Sequence, residues 1–208
     1  MLQSIQDFPV FYIVAVLLFC LCVFAWAKAT KASRRRNAKR DAIIAELQHE
    51  KQLRREFKAP TLQQLEETPP ERLIEGLCCQ VQAKLEKADD MEEAFAALPE
   101  PARLVYALGY VITESRNTLS EFFRNFKQPL SGTAWQAVQT CMPKDYAEIF
   151  GEQYAAFDEE NEATSFNESA ILALDERFRA LYNEQGEALF EQAKAYVLSH
   201  FSVFTAKV

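Results

Sequence analysis

Glycine and histidine are scarce in this chain, and much chemistry is excluded with them. Its 208 residues include five glycines, none of them in a phosphate-cradling pattern, so no nucleotide-binding loop is expected. The two histidines, His49 and His200, lack neighbours at metal-ligand spacing. Five cysteines form no zinc pattern: Cys20 and Cys22 lie in an apolar run, Cys78 and Cys79 are adjacent, and Cys141 stands alone. A catalytic thiol would have only His200 as a base within its own domain. Carboxylates are so abundant that no single acid pair is informative. An enzymatic reading therefore has no constellation to carry it, and no cofactor or metal is expected. Period-2 alternation is also scarce, which argues against a sheet.

One long stretch lacks charge altogether. Phe8 to Ala27 reads FPVFYIVAVLLFCLCVFAWA, and the basic run KATKASRRRNAKR follows at once. Twenty helical residues at about 1.5 Å each span roughly 30 Å, the hydrocarbon thickness of a bilayer. A secretory signal would put positive charge before the apolar run and small residues at its end. Here Asp7 is the only side-chain charge before it, while Lys28, Lys31, Arg34, Arg35, Arg36, Lys39 and Arg40 follow. Lys and Arg beside a span stay on the cytoplasmic side. The expectation is an uncleaved single-pass anchor over 8–27 in the plasma (inner) membrane, with residues 1–7 outside and everything after Lys28 in the cytoplasm. The basic collar would meet anionic lipid headgroups and set topology.

Charge divides the chain in two. Through Pro60, eleven Lys/Arg stand against five Asp/Glu, a net of +6. From Thr61 onward, twelve stand against twenty-five, a net of −13, and the halves recover the overall −7. An acidic field of this size repels nucleic acid and anionic lipid and attracts basic protein surfaces. It also serves solubility, and composition does not separate the two readings.

The rest reads as helices. Residues 28–60 are rich in good helix formers, with no glycine and no proline before Pro60, which predicts a basic juxtamembrane stalk. Ile43, Ile44, Leu47, Leu53 and Phe57 give a partial apolar stripe. It is too short for a coiled coil and leaves a weak homodimer contact open. Beyond Pro60, Thr61 and Gln64 have capping-box spacing. Pro69, Pro70, Pro99, Pro101 and Pro143 punctuate the run, and Gly186 marks a turn. Apolar residues recur at helical spacing in each segment: Leu73, Leu77, Val81 and Leu85; Leu104, Val105, Leu108, Val111 and Ile112; Leu189, Phe190, Ala193, Val197 and Phe201. The predicted fold is all-α: a single N-terminal transmembrane helix followed by a cytoplasmic multi-helix domain over 61–208.

The order of segments from about 98 to 204 resembles a bacterial family, the DNA-mimic protein domain. LPEPARLVYALGYVITES resembles that family's opening core helix, ending at Glu114. LSEFFRNF is similar to its aromatic pair followed by Asn, here Phe122, Phe123 and Asn125. TAWQAVQTCMPKDYAEIFGEQYAAF resembles its next two helices. LALDERFRALYNE and YVLSHFSVF resemble its last ones, with a Leu-Asp-x-x-Phe core and a late His. The family's Asn-Asn-Gly-Gly turn is replaced by SRNTLS, which retains only Asn117.

The resemblance implies an acidic helical protein whose carboxylates stand in for DNA phosphates and occupy the DNA-binding face of a basic protein. B-DNA carries about one charge per 1.7 Å of axis, so a mimic needs many carboxylates on one side. The candidate patches are Glu66, Glu67, Glu71 and Glu75; Asp89, Asp90, Glu92 and Glu93; and Asp158, Glu159, Glu160 and Glu162. The expected partners are the lipid bilayer and a basic, DNA-binding protein, without direct nucleic-acid binding. The alternative is a scaffold subunit of a bacterial membrane complex, its acidity serving only solubility.

Overall fold

The computed structural model describes residues 28, 37, 39–115, 118–157 and 169–205. All regular structure among them is helical, as the sequence predicts. None of their helices is long and apolar enough to cross a membrane. The anchor expected over 8–27 lies outside the described residues.

The chain separates into two compact units, one to Glu50 and one from Lys51. In the first, residues 39–50 are helical, and nearly every side chain from 39 to 49 is exposed. Helical residues 51–56 open the second unit. They are followed by α1 (Leu62–Glu67), α2 (Pro70–Leu85), α3 (Met91–Ala96), α4 (Glu100–Glu114), α5 (Leu119–Asn125), α6 (Leu130–Cys141), α7 (Lys144–Ala156), α8 (Ser169–Ser199) and α9 (Phe201–Thr205).

Residues 51–60, expected in a stalk, are built into this second unit. Leu53, Phe57 and Pro60 are buried. The Phe57 ring lies directly over Gly76 of α2, where an added Cβ would collide with it. Two ion pairs reinforce the contact. The Arg54 guanidinium donates to both Glu86 carboxylate oxygens at 2.5 and 2.7 Å, and Arg72 donates to Glu56 at 2.5 Å. The sequence showed only a weak stripe here because its partner, α2, is supplied by later chain.

Proline and short polar side chains set the helix starts. Thr61 caps α1, accepting from Gln64 N at 3.2 Å. The Gln64 side chain does not complete the capping box; it donates to Glu56 O at 3.1 Å. Pro70 occupies the first position of α2, and Pro99 precedes α4. Asp90 caps α3, accepting from Glu92 N at 2.9 Å and Glu93 N at 3.0 Å.

Helix α4 is central. Leu104 to Gly109, Val111 and Ile112 are all buried, so it is apolar nearly all round, as a core helix must be. It packs between α2 and α6, with α5 against it. Helix α8 crosses α7, α2 and α5. The aromatic core runs through Phe122, Phe123, Phe150 and Trp135, with ring centroids 5.0–6.1 Å apart.

The turn expected at Gly186 is a kink one residue earlier: Gln185 leaves helical geometry (φ −131°, ψ 18°), and two helical runs meet there within α8. The Tyr146 hydroxyl donates at 3.0 Å to Leu181 O, the carbonyl one turn before the kink. An inserted side-chain donor of this kind loosens the helical ladder. Phe201 was expected in the core but is 41 % exposed, and Phe204 is buried in its place. The chain breaks at His200 before α9, which turns the last apolar face by part of a turn.

Candidate protein-interaction surface

The carboxylates picked out from the sequence fall into three groups. Glu66 and Glu67 are exposed on the last turn of α1, and Glu71 and Glu75 on the first two turns of α2. Glu71 and Glu75 are four residues apart, about 6 Å along the helix axis. Asp89 and Asp90 lie in the α2–α3 connection, and Glu92 and Glu93 on the first turn of α3, all exposed. Asp158, Glu159, Glu160 and Glu162 lie outside the described residues. Of the basic collar, Lys28, Lys39 and Arg40 are helical and exposed, and Arg40 meets Asp41 at 3.5 Å. Lys31, Arg34, Arg35 and Arg36 lie outside the described residues.

Helix physics explains some of these acids and not others. A helix N-terminus favours negative charge. Glu71, Glu92 and Glu93 sit in first turns, and Asp90 is engaged as a cap, so each has a local reason for its place. Glu66 and Glu67 sit at the opposite end, against the α1 dipole. Lys194 partly offsets the negative end, donating to Glu66 O at 2.7 Å and Thr68 O at 2.8 Å. Its ammonium is occupied by those carbonyls; both carboxylates are exposed, and Glu67 accepts from Gln63 Nε2 at 2.7 Å.

Of the residues that carry the family resemblance, Phe122, Phe123, Leu174, Asp175 and Phe178 are buried, while Asn125 is exposed. Asn125 donates to Glu114 at 2.8 Å, joining the end of α4 to the end of α5. Thr118, at the start of α5, makes no side-chain cap. Asp175 of α8 supplies the missing acceptor from across the core. It accepts from Ser120 N at 2.9 Å and Ser120 Oγ at 2.7 Å, and Gln153 Nε2 reaches both it (3.3 Å) and Ser120 Oγ (2.8 Å). Leu174, Asp175 and Phe178 are all buried. The sequence marked this Asp only as part of a motif. A carboxylate between Leu174 and an inward Phe178 was the available signal, since buried acids require partners.

Two thiols, Cys78 and Cys141, are shifted away from nucleophilic chemistry. Burial pushes both Cys78 and Cys141 up to about 12, and Cys78 Sγ donates to Tyr106 O at 3.8 Å. An activated thiol has the opposite shift. His200 Nδ1 faces Tyr196 O at 3.0 Å and Ser199 Oγ at 2.9 Å. Among the described residues, no group of His, Cys, Asp and Glu could hold a metal ion.

A polar cluster that the sequence reading did not single out joins α2 to α4. Tyr106 and Tyr110, four residues apart on the core helix, both direct their hydroxyls at Gln82 Oε1. Two phenols at this spacing inside an apolar helix were its sequence signal, because a buried Tyr hydroxyl needs a partner.

No protein-family model matches the chain, and no curated protein or solved structure matches it.

Proposed function

We propose that the chain is a membrane-anchored, non-enzymatic interaction module whose acidic helical domain binds a basic protein partner. Following the DNA-mimic resemblance, that partner is a DNA-binding protein, kept from its operator at the inner membrane. The observation that carries the reading is the placement of Glu66 and Glu67. They are exposed carboxylates at the end of a helix that disfavours negative charge. Glu71 and Glu75 extend the same acidic character onto α2. The −13 of the segment from Thr61 supplies long-range attraction for a basic surface and repulsion for nucleic acid. The bilayer is the second partner, held by the apolar run and the basic collar.

Reversing the charge of this patch tests the proposal. Substituting Lys at Glu66, Glu67 and Glu75, all exposed, is expected to remove the bound partner, with helical circular dichroism and thermal unfolding checking that the variant is folded. Retention of the partner by a folded variant would overturn it.

A second reading, a structural subunit of a membrane complex, is favoured by one observation. Ile43, Ile44 and Leu47 are 57 %, 43 % and 58 % exposed on helical residues 39–50. On that reading, charge reversal at Asp158, Glu159 and Glu160 leaves assembly intact, while polar substitution at Ile43 and Leu47 disrupts it.

A further inference from the structure

Five elements of the second unit leave a cavity of about 300 Å³ between them. Gln82 and Leu85 come from α2, Met91, Glu92 and Phe95 from α3, and Tyr106 and Tyr110 from α4; Phe126 follows α5, and Pro129 and Leu130 open α6. This volume is at the small end of ligand pockets. The lining is apolar and aromatic except at two places, an inner polar end and a charged rim.

The aromatic wall is continuous. Tyr106 and Tyr110 meet edge-on with centroids 4.9 Å apart, Tyr110 and Phe126 at 4.8 Å, and Phe95 and Tyr106 at 5.8 Å. Such rings present negative faces, which attract cations.

The polar end has a fixed direction. Arg54 holds the Glu86 carboxylate, and Glu86 accepts from Gln82 Nε2 at 3.0 Å. That fixes the Gln82 amide with its carbonyl oxygen toward the tyrosines. Tyr106 donates to this oxygen, Tyr110 reaches it at 3.2 Å, and the two hydroxyl oxygens are 3.2 Å apart. Each phenol has one proton and two lone-pair positions. Gln82 Oε1 lies within reach of both phenol protons, and each phenol oxygen keeps lone-pair positions that can accept. Burial raises both tyrosines, so they remain neutral phenols. At the rim, the exposed Glu92 carboxylate has no partner among the described residues. The cavity thus offers aromatic faces, acceptors and one negative charge. Its lining holds no Lys, Arg or His side chain for an anion.

We propose that this cavity binds a small organic ammonium ion, with its apolar or aromatic body against Phe95, Tyr110, Phe126 and Leu130 and its N–H groups directed at the phenol oxygens and Glu92. The site lies on α2, α3 and α4 and is independent of the acidic protein-binding reading.

The test uses the full chain in lipid nanodiscs and three probes of similar shape: phenethylammonium, 2-phenylethanol and 3-phenylpropanoate. Calorimetry, with the Met91 methyl resonance as a local reporter, is expected to show saturable binding of the ammonium. The alcohol should bind about tenfold more weakly and the carboxylate not measurably. Tyr110→Phe preserves shape, removes an acceptor and should weaken the ammonium about fivefold to tenfold. Glu92→Gln, at an exposed position, should weaken it about twofold to threefold while the variant stays folded. Equal binding of all three probes, binding that leaves the Met91 signal unmoved, or no binding by the folded protein would each overturn the proposal.

Discussion

Asp175 shows how one side chain joins elements distant in sequence. It is 6 % exposed, and Ser120 and Gln153 both direct donors at it. Removing the carboxylate takes the acceptor from the buried Ser120 N–H and hydroxyl, while Gln153 keeps Ser120 Oγ; stranding buried donors costs more than an ordinary hydrogen bond returns. Asp175→Ala is expected to lower unfolding free energy by about 2–4 kcal/mol in urea denaturation. A loss below about 0.5 kcal/mol would contradict this role. Glu86 behaves differently because it is partly solvated. The Arg54 hydrogen bonds, and then that from Gln82, hold its carboxyl down to about 2 from an ordinary value of 4.5. Its contribution is therefore full above about pH 4.5 and is lost as pH falls through about 2. Solvent screening limits the contribution to about 1 kcal/mol or less. Glu86→Gln should accordingly be less stable than the parent chain near neutrality, and the two should converge as pH falls toward 2. Denaturation midpoints followed from pH 6 to 2 check this.

At the scale of elements, the helices were legible where one segment carried its own signal. The Thr61 cap, the prolines before α2 and α4 and the four-residue apolar steps of α2 all appear where local chemistry puts them. What was not legible depends on distant partners. Leu53 and Phe57 looked like a weak stripe until Gly76 received the Phe57 ring. Gly186 marked the break within α8, but not the Tyr146 hydroxyl, 35 residues before the carbonyl it binds. The acidic residues were legible as charge but not as place: Asp90 is a cap, while Glu66 opposes a helix dipole. That distinction predicts opposite stability effects. Neutralising Asp90 with Ala should cost about 1 kcal/mol through loss of the cap. Neutralising Glu66 with Gln should raise stability by a few tenths of a kcal/mol. Thermal unfolding of the two single variants measures both signs.

Across the whole molecule, the opposition of charge is the dominant physical fact. The basic half through Pro60 suits an anionic membrane surface, and the acidic half suits a basic protein. Both signs of charge are legible in the sequence. The fold adds place, separating a carboxylate engaged in capping, Asp90, from exposed ones at other helix positions. Attraction of this kind has a physical signature: exposed charges lose their reach as the screening length shrinks. The most direct measurement is affinity capture of the partner by the second unit, Lys51 to Val208, across a salt series. The partner should bind at about 0.05 M salt and be released by about 0.5 M, with most of the change in association rate. Capture that persists unchanged across that range would contradict an electrostatic interface and place the contact on an apolar surface instead.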